Sequence, residues 1–220
     1  MENYDEEELM MREPIAAYGK KVFTIEEYLE FENASPAKHE YYQGEIFAMA
    51  GATNDHCYIE RNLIVSLVMG LKKSPCEPLG SNKRLHIPSN TLFTYPDISV
   101  YCQDGLPSTE TGASFPKVLI EILSKSTRKY DRGKKFELYK DIPGFQEYVL
   151  VDSQKPAIDI YRKITGTAWE LKQYTINDIW IEIKSLNLRI SFKKIYESVK
   201  FNNQMGFPIL NVAKGKIQRA

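Results

Sequence analysis

Val118-Leu119-Ile120-Glu121-Ile122-Leu123 is a short aliphatic run with one carboxylate inside it. Such a run reads as a β-strand. A lone carboxylate there costs several kcal/mol if it is buried and unpaired, so Glu121 needs a partner. Upstream, Pro96-Asp97 opens a second run, residues 98–101. Proline is tolerated at the mouth of a strand, where its missing N–H need not break the ladder. Residues 104–116 separate the two runs and are rich in Gly, Pro, Ser and Thr, as a long hairpin loop is. An antiparallel hairpin sets Asp97, near the start of one strand, opposite Glu121, near the end of the other. Two such carboxylates repel, and both stay ionised only with a cation or basic group between them. Hard oxygen ligands select Mg²⁺ or Mn²⁺ over zinc, and such an ion can neutralise charge on a phosphodiester and acidify a bound water. A packing ion pair between Glu121 and a nearby Lys or Arg is the alternative reading of the same residues.

Thr24 begins a T-x-x-E capping box with Glu27, so a helix should follow and end at Pro36. Residues 38–49, around Gly44, read as a strand or tight hairpin. Ile59, Leu63, Leu67 and Leu71 recur at spacings of four and predict a helix over 54–73. Strands are expected at 84–87, 98–101, 118–123, 147–151, 157–161, 169–174 and 179–183. A helix is expected over 129–140, stopped by Pro143-Gly144. This order argues for an α/β (α+β) fold, a central mixed sheet with helices on its faces.

The chain's 220 residues suffice for one domain with a full core. The expected division is an acidic leader over 1–20, a single domain over 21–197 and a basic tail over 198–220. Residues 1–32 hold ten acids and three bases, a net of −7; residues 184–220 hold eight bases and one acid, a net of +7. The formal charge of the whole is zero, so contact with nucleic acid should be local rather than along a long duplex. No run is long and apolar enough for a membrane span, and the acidic N-terminal residues do not resemble a signal peptide. Cys57, Cys76 and Cys102 are an odd count without a CxxC pair, which suggests reduced thiols and a cytoplasmic protein. There is no Walker loop, no GxGxxG fingerprint and no serine nucleophile elbow, which argues against a nucleotide-binding enzyme or an esterase.

Five segments together resemble the Uma2 family (DUF820) of restriction-endonuclease-like proteins. They are Phe23-Thr-Ile-Glu-Glu-Tyr-Leu29, His39-Glu-Tyr-Tyr-Gln-Gly-Glu45, Pro96-Asp97, Glu121-Ile-Leu-Ser124 and Asp131-Arg-Gly-Lys-Lys-Phe-Glu-Leu-Tyr139. The resemblance spans about residues 22–175 and implies a PD-(D/E)xK nuclease core. One departure matters. The signature wants a lysine two residues after the acid, and that position is Leu123. The family pattern offers Lys135 instead, a lysine moved to the following helix, with Lys125 and Lys134 as rivals.

The candidate catalytic residues are therefore Asp97, Glu121, Lys135 and Glu40, with Asp97, Glu121 and Glu40 as ligands of Mg²⁺ or Mn²⁺. Tyr139 lies at i+4 from Lys135 and should share its face. Residues 125–135 hold six basic side chains against Asp131 alone. Lys125 and Arg128 could meet phosphates there, with Ser124 and His56 as further substrate-binding candidates. The function expected is Mg²⁺-dependent hydrolysis of DNA phosphodiesters. The alternative is an inactive nuclease-fold module that binds nucleic acid or a protein partner. Exposed aromatic strands after Trp169 make a homodimer a further expectation.

Overall fold

The computed structural model describes residues 22–106 and 114–201. The acidic leader, part of the 104–116 loop and the tail beyond residue 201 lie outside the described residues.

Helix α1 (Ile25–Ala34) begins where the capping box predicts: Thr24 Oγ1 accepts from the Glu27 N–H, and Glu27 reaches back to the Thr24 N–H. A hairpin follows, β1 (His39–Tyr42) and β2 (Glu45–Ala48). Gln43 and Gly44 both have positive φ, 48° and 93°, the geometry of a two-residue primed turn. Helix α2 (Asn54–Leu71) buries Ile59, Leu63, Leu67 and Leu71, the spacing-of-four residues.

Strands β3 (Cys76–Gly80), β4 (Leu85–Ile87), β5 (Leu92–Thr94), β6 (Ile98–Cys102) and β7 (Val118–Leu123) come next. The region expected as one helix is two, α3 (Arg128–Arg132) and α4 (Lys134–Tyr139), broken at Gly133. The chain continues through β8 (Glu147–Asp152), β9 (Ala157–Lys163), β10 (Trp169–Thr175), β11 (Trp180–Ile183), β12 (Leu188–Ser191) and α5 (Phe192–Ile195). Three strands absent from the sequence reading are β3, β5 and β12. Pro78 inside β3 obscures it, and the strand survives because it is an edge of its sheet.

The architecture is a mixed α/β fold around a six-stranded sheet of order β10-β9-β8-β7-β6-β3. Only β7 and β8 run parallel. A four-stranded sheet, β2-β1-β5-β4, and the β11-β12 hairpin complete it. Alternation along β7 divides the core. Val118, Ile120 and Ile122 join the α2 residues in one cluster, whereas Leu119 and Leu123 join Phe136, Leu138 and Tyr139 of α4 in another. Glu121 shares the α4 face. Leu123, at the signature's lysine position, is fully buried core on that face.

One expectation is corrected. Cys76 and Cys102 form a disulfide, bonding direct register partners on β3 and β6, so the thiols are not all reduced. Spacing alone could not show this, because two cysteines 26 residues apart meet only once the strands pair. Cys57 is free and exposed. No helix among the described residues is long and apolar enough to cross a membrane.

Candidate active site

The register Ile98↔Ile120, Ser99↔Leu119, Val100↔Val118, carried one step further, sets Asp97 opposite Glu121 as the hairpin reading expected. The Asp97 side chain takes over the ladder at that step. Its Oδ2 accepts the Ile122 N–H at 2.7 Å, and its own N–H lies 3.4 Å from Glu121 Oε2. Helix α2 adds His56, whose Nε2 lies 3.1 Å from Asp97 Oδ1. The helix start orients that ring: Thr53 is the N-cap and accepts from the His56 N–H.

On the other side, α4 inserts Lys135. Its Nζ lies 2.8 Å from Glu121 Oε1, 3.5 Å from Glu40 Oε1 and 3.7 Å from Asp131 Oδ1. All four side chains are buried. Tyr139, one turn on, donates to Glu121 Oε1 at 2.8 Å, and Thr94 donates to Glu40 Oε1. Of the three lysines weighed from the sequence, Lys135 is the one that stands beside Glu121. Lys134 turns the other way, over the Tyr42 ring at 5.6 Å, and Lys125 is exposed.

Three carboxylates, Glu40, Glu121 and Asp131, thus gather around one ammonium group, with Asp97 on the other side of Glu121's backbone step, held by His56 and the Ile122 N–H. Burial, assisted by the charges of Asp97 and Asp131, pushes the Glu121 carboxyl up to about 8 although Lys135 opposes the shift. For His56, burial disfavours the charged ring, but the hydrogen bond and charge of Asp97 outweigh it and raise the pKa. Burial and the charges of Glu121 and Glu40 hold the Tyr139 hydroxyl protonated as a donor.

A cleft of about 1060 Å³ opens onto the site, and His56, Asp97, Glu121, Ser124, Lys125 and Lys135 are among its walls. Tyr139, Glu40 and Arg128 are not. Glu40, expected as a ligand beside Asp97, is 2% exposed and is held by Thr94 and Lys135. The basic segment is also less available than its composition implied. Arg128 forms a two-pronged pair with Asp152, Arg132 pairs with Asp159, and Lys135 is buried. The carboxylate of this cluster that the sequence reading left out is Asp131; its i,i+4 spacing to Lys135 was the available signal.

Among the described residues no three His, Cys, Asp or Glu side chains form a ready metal cluster. A Mg²⁺ ion does not require one, since one or two carboxylates with retained waters commonly hold it. Asp97 and Glu121 are such a pair, and the surplus of negative charge around Lys135 fits a hard cation.

The fold and site define a nuclease-like mixed α/β protein. Its fold is similar to the crystal structure of a "putative nuclease belonging to DUF820" from Anabaena variabilis ATCC 29413. The TM-score is 0.64 at 22% identity, over 79% of this chain and 97% of that one. The chain belongs to the Uma2 family, described as "Putative restriction endonuclease", which matches residues 25–192. Two relatives come from Synechocystis sp. strain PCC 6803. The protein slr1290 is 34% identical over 193 residues, 88% of this chain and all of the relative. The protein sll1609 is 29% identical over 170 residues, 76% of this chain and 96% of the relative.

Proposed function

We propose that the cleft hydrolyses DNA phosphodiesters, with Asp97 and Glu121 holding Mg²⁺ or Mn²⁺ and Lys135 as the lysine of the site. The observation that carries this reading is the approach of Lys135 Nζ to Glu121 at 2.8 Å from a neighbouring helix, beside the Asp97–Glu121 pair. Bound there, the ion would supply charge neutralisation and a water of lowered pKa. The chain's own groups do the rest. Glu121, Glu40 and Asp131 fix the ammonium so that its charge is already in place where negative charge develops on the phosphate. Tyr139 holds Glu121 in position, and His56 does the same for Asp97. Ser124 and Lys125 line the cleft and are the groups available to phosphate oxygens beside the scissile bond.

The test is cleavage of plasmid and single-stranded DNA with Mg²⁺ or Mn²⁺ by the wild type and by Asp97→Ala. Wild type should cut only with the metal, and Asp97→Ala should not cut. Equal cleavage by both sinks the assignment.

A second reading is a non-catalytic module of the same fold that binds nucleic acid or a protein. It is favoured by Leu123 at the lysine position and by a Lys135 already enclosed by carboxylates. Calorimetric titration with Mn²⁺ separates the two: no heat that depends on Asp97 and Glu121 favours the module.

A further inference from the structure

Strand β10 is the outermost strand of the six-stranded sheet and, among the described residues, pairs with β9 alone. The direction of its free hydrogen-bonding groups follows from two bonds. The Lys163 N–H donates to Gln146 O on the β8 side at 2.8 Å, and the Ile164 N–H donates to Ala168 O on the β10 side at 2.9 Å. Alternation in an antiparallel ladder then turns even-numbered residues of β9 toward β10. Through the register Arg162↔Glu170 and Lys172↔Ile160, residues 170, 172 and 174 bond back to β9. The N–H and C=O groups of Trp169, Leu171 and Gln173 point away from the sheet, whereas those of Thr175 are taken by Asp178.

An edge of this length is normally blunted by proline, a bulge or a covering segment. Trp169–Thr175 contains no proline, and its seven residues pair with β9 in unbroken register. Glu170, Leu171, Lys172 and Gln173 are all exposed. Five of the eleven large apolar side chains exposed among the described residues fall between positions 164 and 180: Ile164, Leu171, Ile176, Ile179 and Trp180.

We propose that β10 pairs antiparallel with β10 of a second copy of this chain, about a twofold axis at Leu171. Outward amides must meet outward amides, so odd-numbered residues face odd-numbered ones and the axis falls on a residue; an axis at Glu170 or Lys172 sets like charges against each other, and one at Tyr174 sets Lys172 against Ile176. An axis at Leu171 sets Leu171 against Leu171, Trp169 against Gln173, and Glu170 against Lys172 twice. An axis at Gln173 sets Lys172 against Tyr174, and one at Trp169 sets Lys172 against Gly166. Only the Leu171 axis places opposite charges across from each other, on the face the even-numbered residues share. Glu170 is steadied there by Arg162 at 3.6 Å, and Lys172, which has the Tyr174 ring 5.6 Å away, has no ion pair among the described residues. The pairing joins two sheets across the axis through backbone hydrogen bonds, with the charges selecting the register. It does not depend on the nuclease reading.

The test is light scattering on the full chain eluting from a sizing column across the micromolar range. The wild type should show twice the mass of one 25.4 kDa chain. Lys172→Glu faces two glutamates with two glutamates and should weaken the dimer about tenfold or more. Glu170→Lys combined with Lys172→Glu exchanges the charges and should restore it. A monomeric wild type, or a Lys172→Glu dimer as tight as wild type, overturns the proposal. Should Lys172→Glu fail to fold, hydrogen exchange of the wild type decides: concentration-dependent protection of the Leu171 and Gln173 amides supports the pairing, and free exchange overturns it.

Discussion

Replacing Lys135 by methionine tests the central feature of the site, because the side chain keeps most of its volume and loses only its charge and donors. Lys135 is 3% exposed and has Glu121, Glu40 and Asp131 within 2.8–3.7 Å. At an effective dielectric near 20, a pair at the shortest of these distances attracts by about 6 kcal/mol gross, most of which offsets desolvation. Removing one partner of a buried pair is the costlier change, about 3–5 kcal/mol, because the carboxylates stay behind without compensation. In a chain of this size that lowers Tm by roughly 10 °C. The sign of the pH dependence follows. Without the ammonium, the folded carboxyl groups hold their protons to higher pH than the unfolded ones, so the native state binds more protons and stability falls as pH rises. Urea unfolding at about pH 5 and about pH 8 should therefore show the larger loss at the higher pH. Lys125→Met, on an exposed lysine of the same cleft, should stay within about 0.5 kcal/mol of wild type. A Lys135→Met loss below about 1 kcal/mol, or one equal at both pH values, refutes the assignment of Lys135 as the cation holding these carboxylates together.

Three further perturbations act on Glu121, Leu123 and the Cys76–Cys102 disulfide. Glu121 has its carboxyl raised from 4.5 to about 8, so it contributes stability at low pH that is lost as pH climbs through that window. Urea titrations should show Glu121→Gln gaining on the wild type from about pH 4.5 to about pH 8, and Mg²⁺ should narrow the gap at the upper end. Leu123→Ala should cost about 2–5 kcal/mol in the same assay, since the side chain is fully buried against α4; a loss near zero would mean the position is not core. Reduction of Cys76–Cys102, which closes a loop of 26 residues, should lower the stability by about 3 kcal/mol, read as a shift in urea midpoint after dithiothreitol.

What local pattern controls could be read from the chain, and what long-range pairing controls could not. The α1 capping box, the 43–44 turn and the α2 spacing are interactions within a few residues, and each element formed where those residues predict. The hairpin carrying Asp97 and Glu121 belongs with them, because its register follows from two strands and the loop between. The disulfide and the four-stranded sheet depend on partners far along the chain, as does the diversion of Arg128 and Arg132 to Asp152 and Asp159. A basic composition over 125–135 cannot say which cations are already committed.

The position of Lys135 shows how a cation beside Glu121 can come from a neighbouring element rather than from β7 itself. Glu121 and residue 123 share one face of β7, and α4 packs on that face. Whatever stands at 123 must either reach Glu121 as a cation or fill the volume beneath the helix. Leucine fills it, burying the side chain completely. The cation then has to come from the element covering Leu123, and on α4 the residue one turn before Tyr139 is Lys135. Tyr139 and Lys135 converge on the same Glu121 oxygen, 2.8 Å from each, so the helix delivers donor and cation together. Restoring the signature by Leu123→Lys in the presence of Lys135 would place a second ammonium against the first and empty the core beneath α4. The two arrangements are therefore mutually exclusive solutions to a single constraint: one cation beside Glu121, and a filled core under the helix.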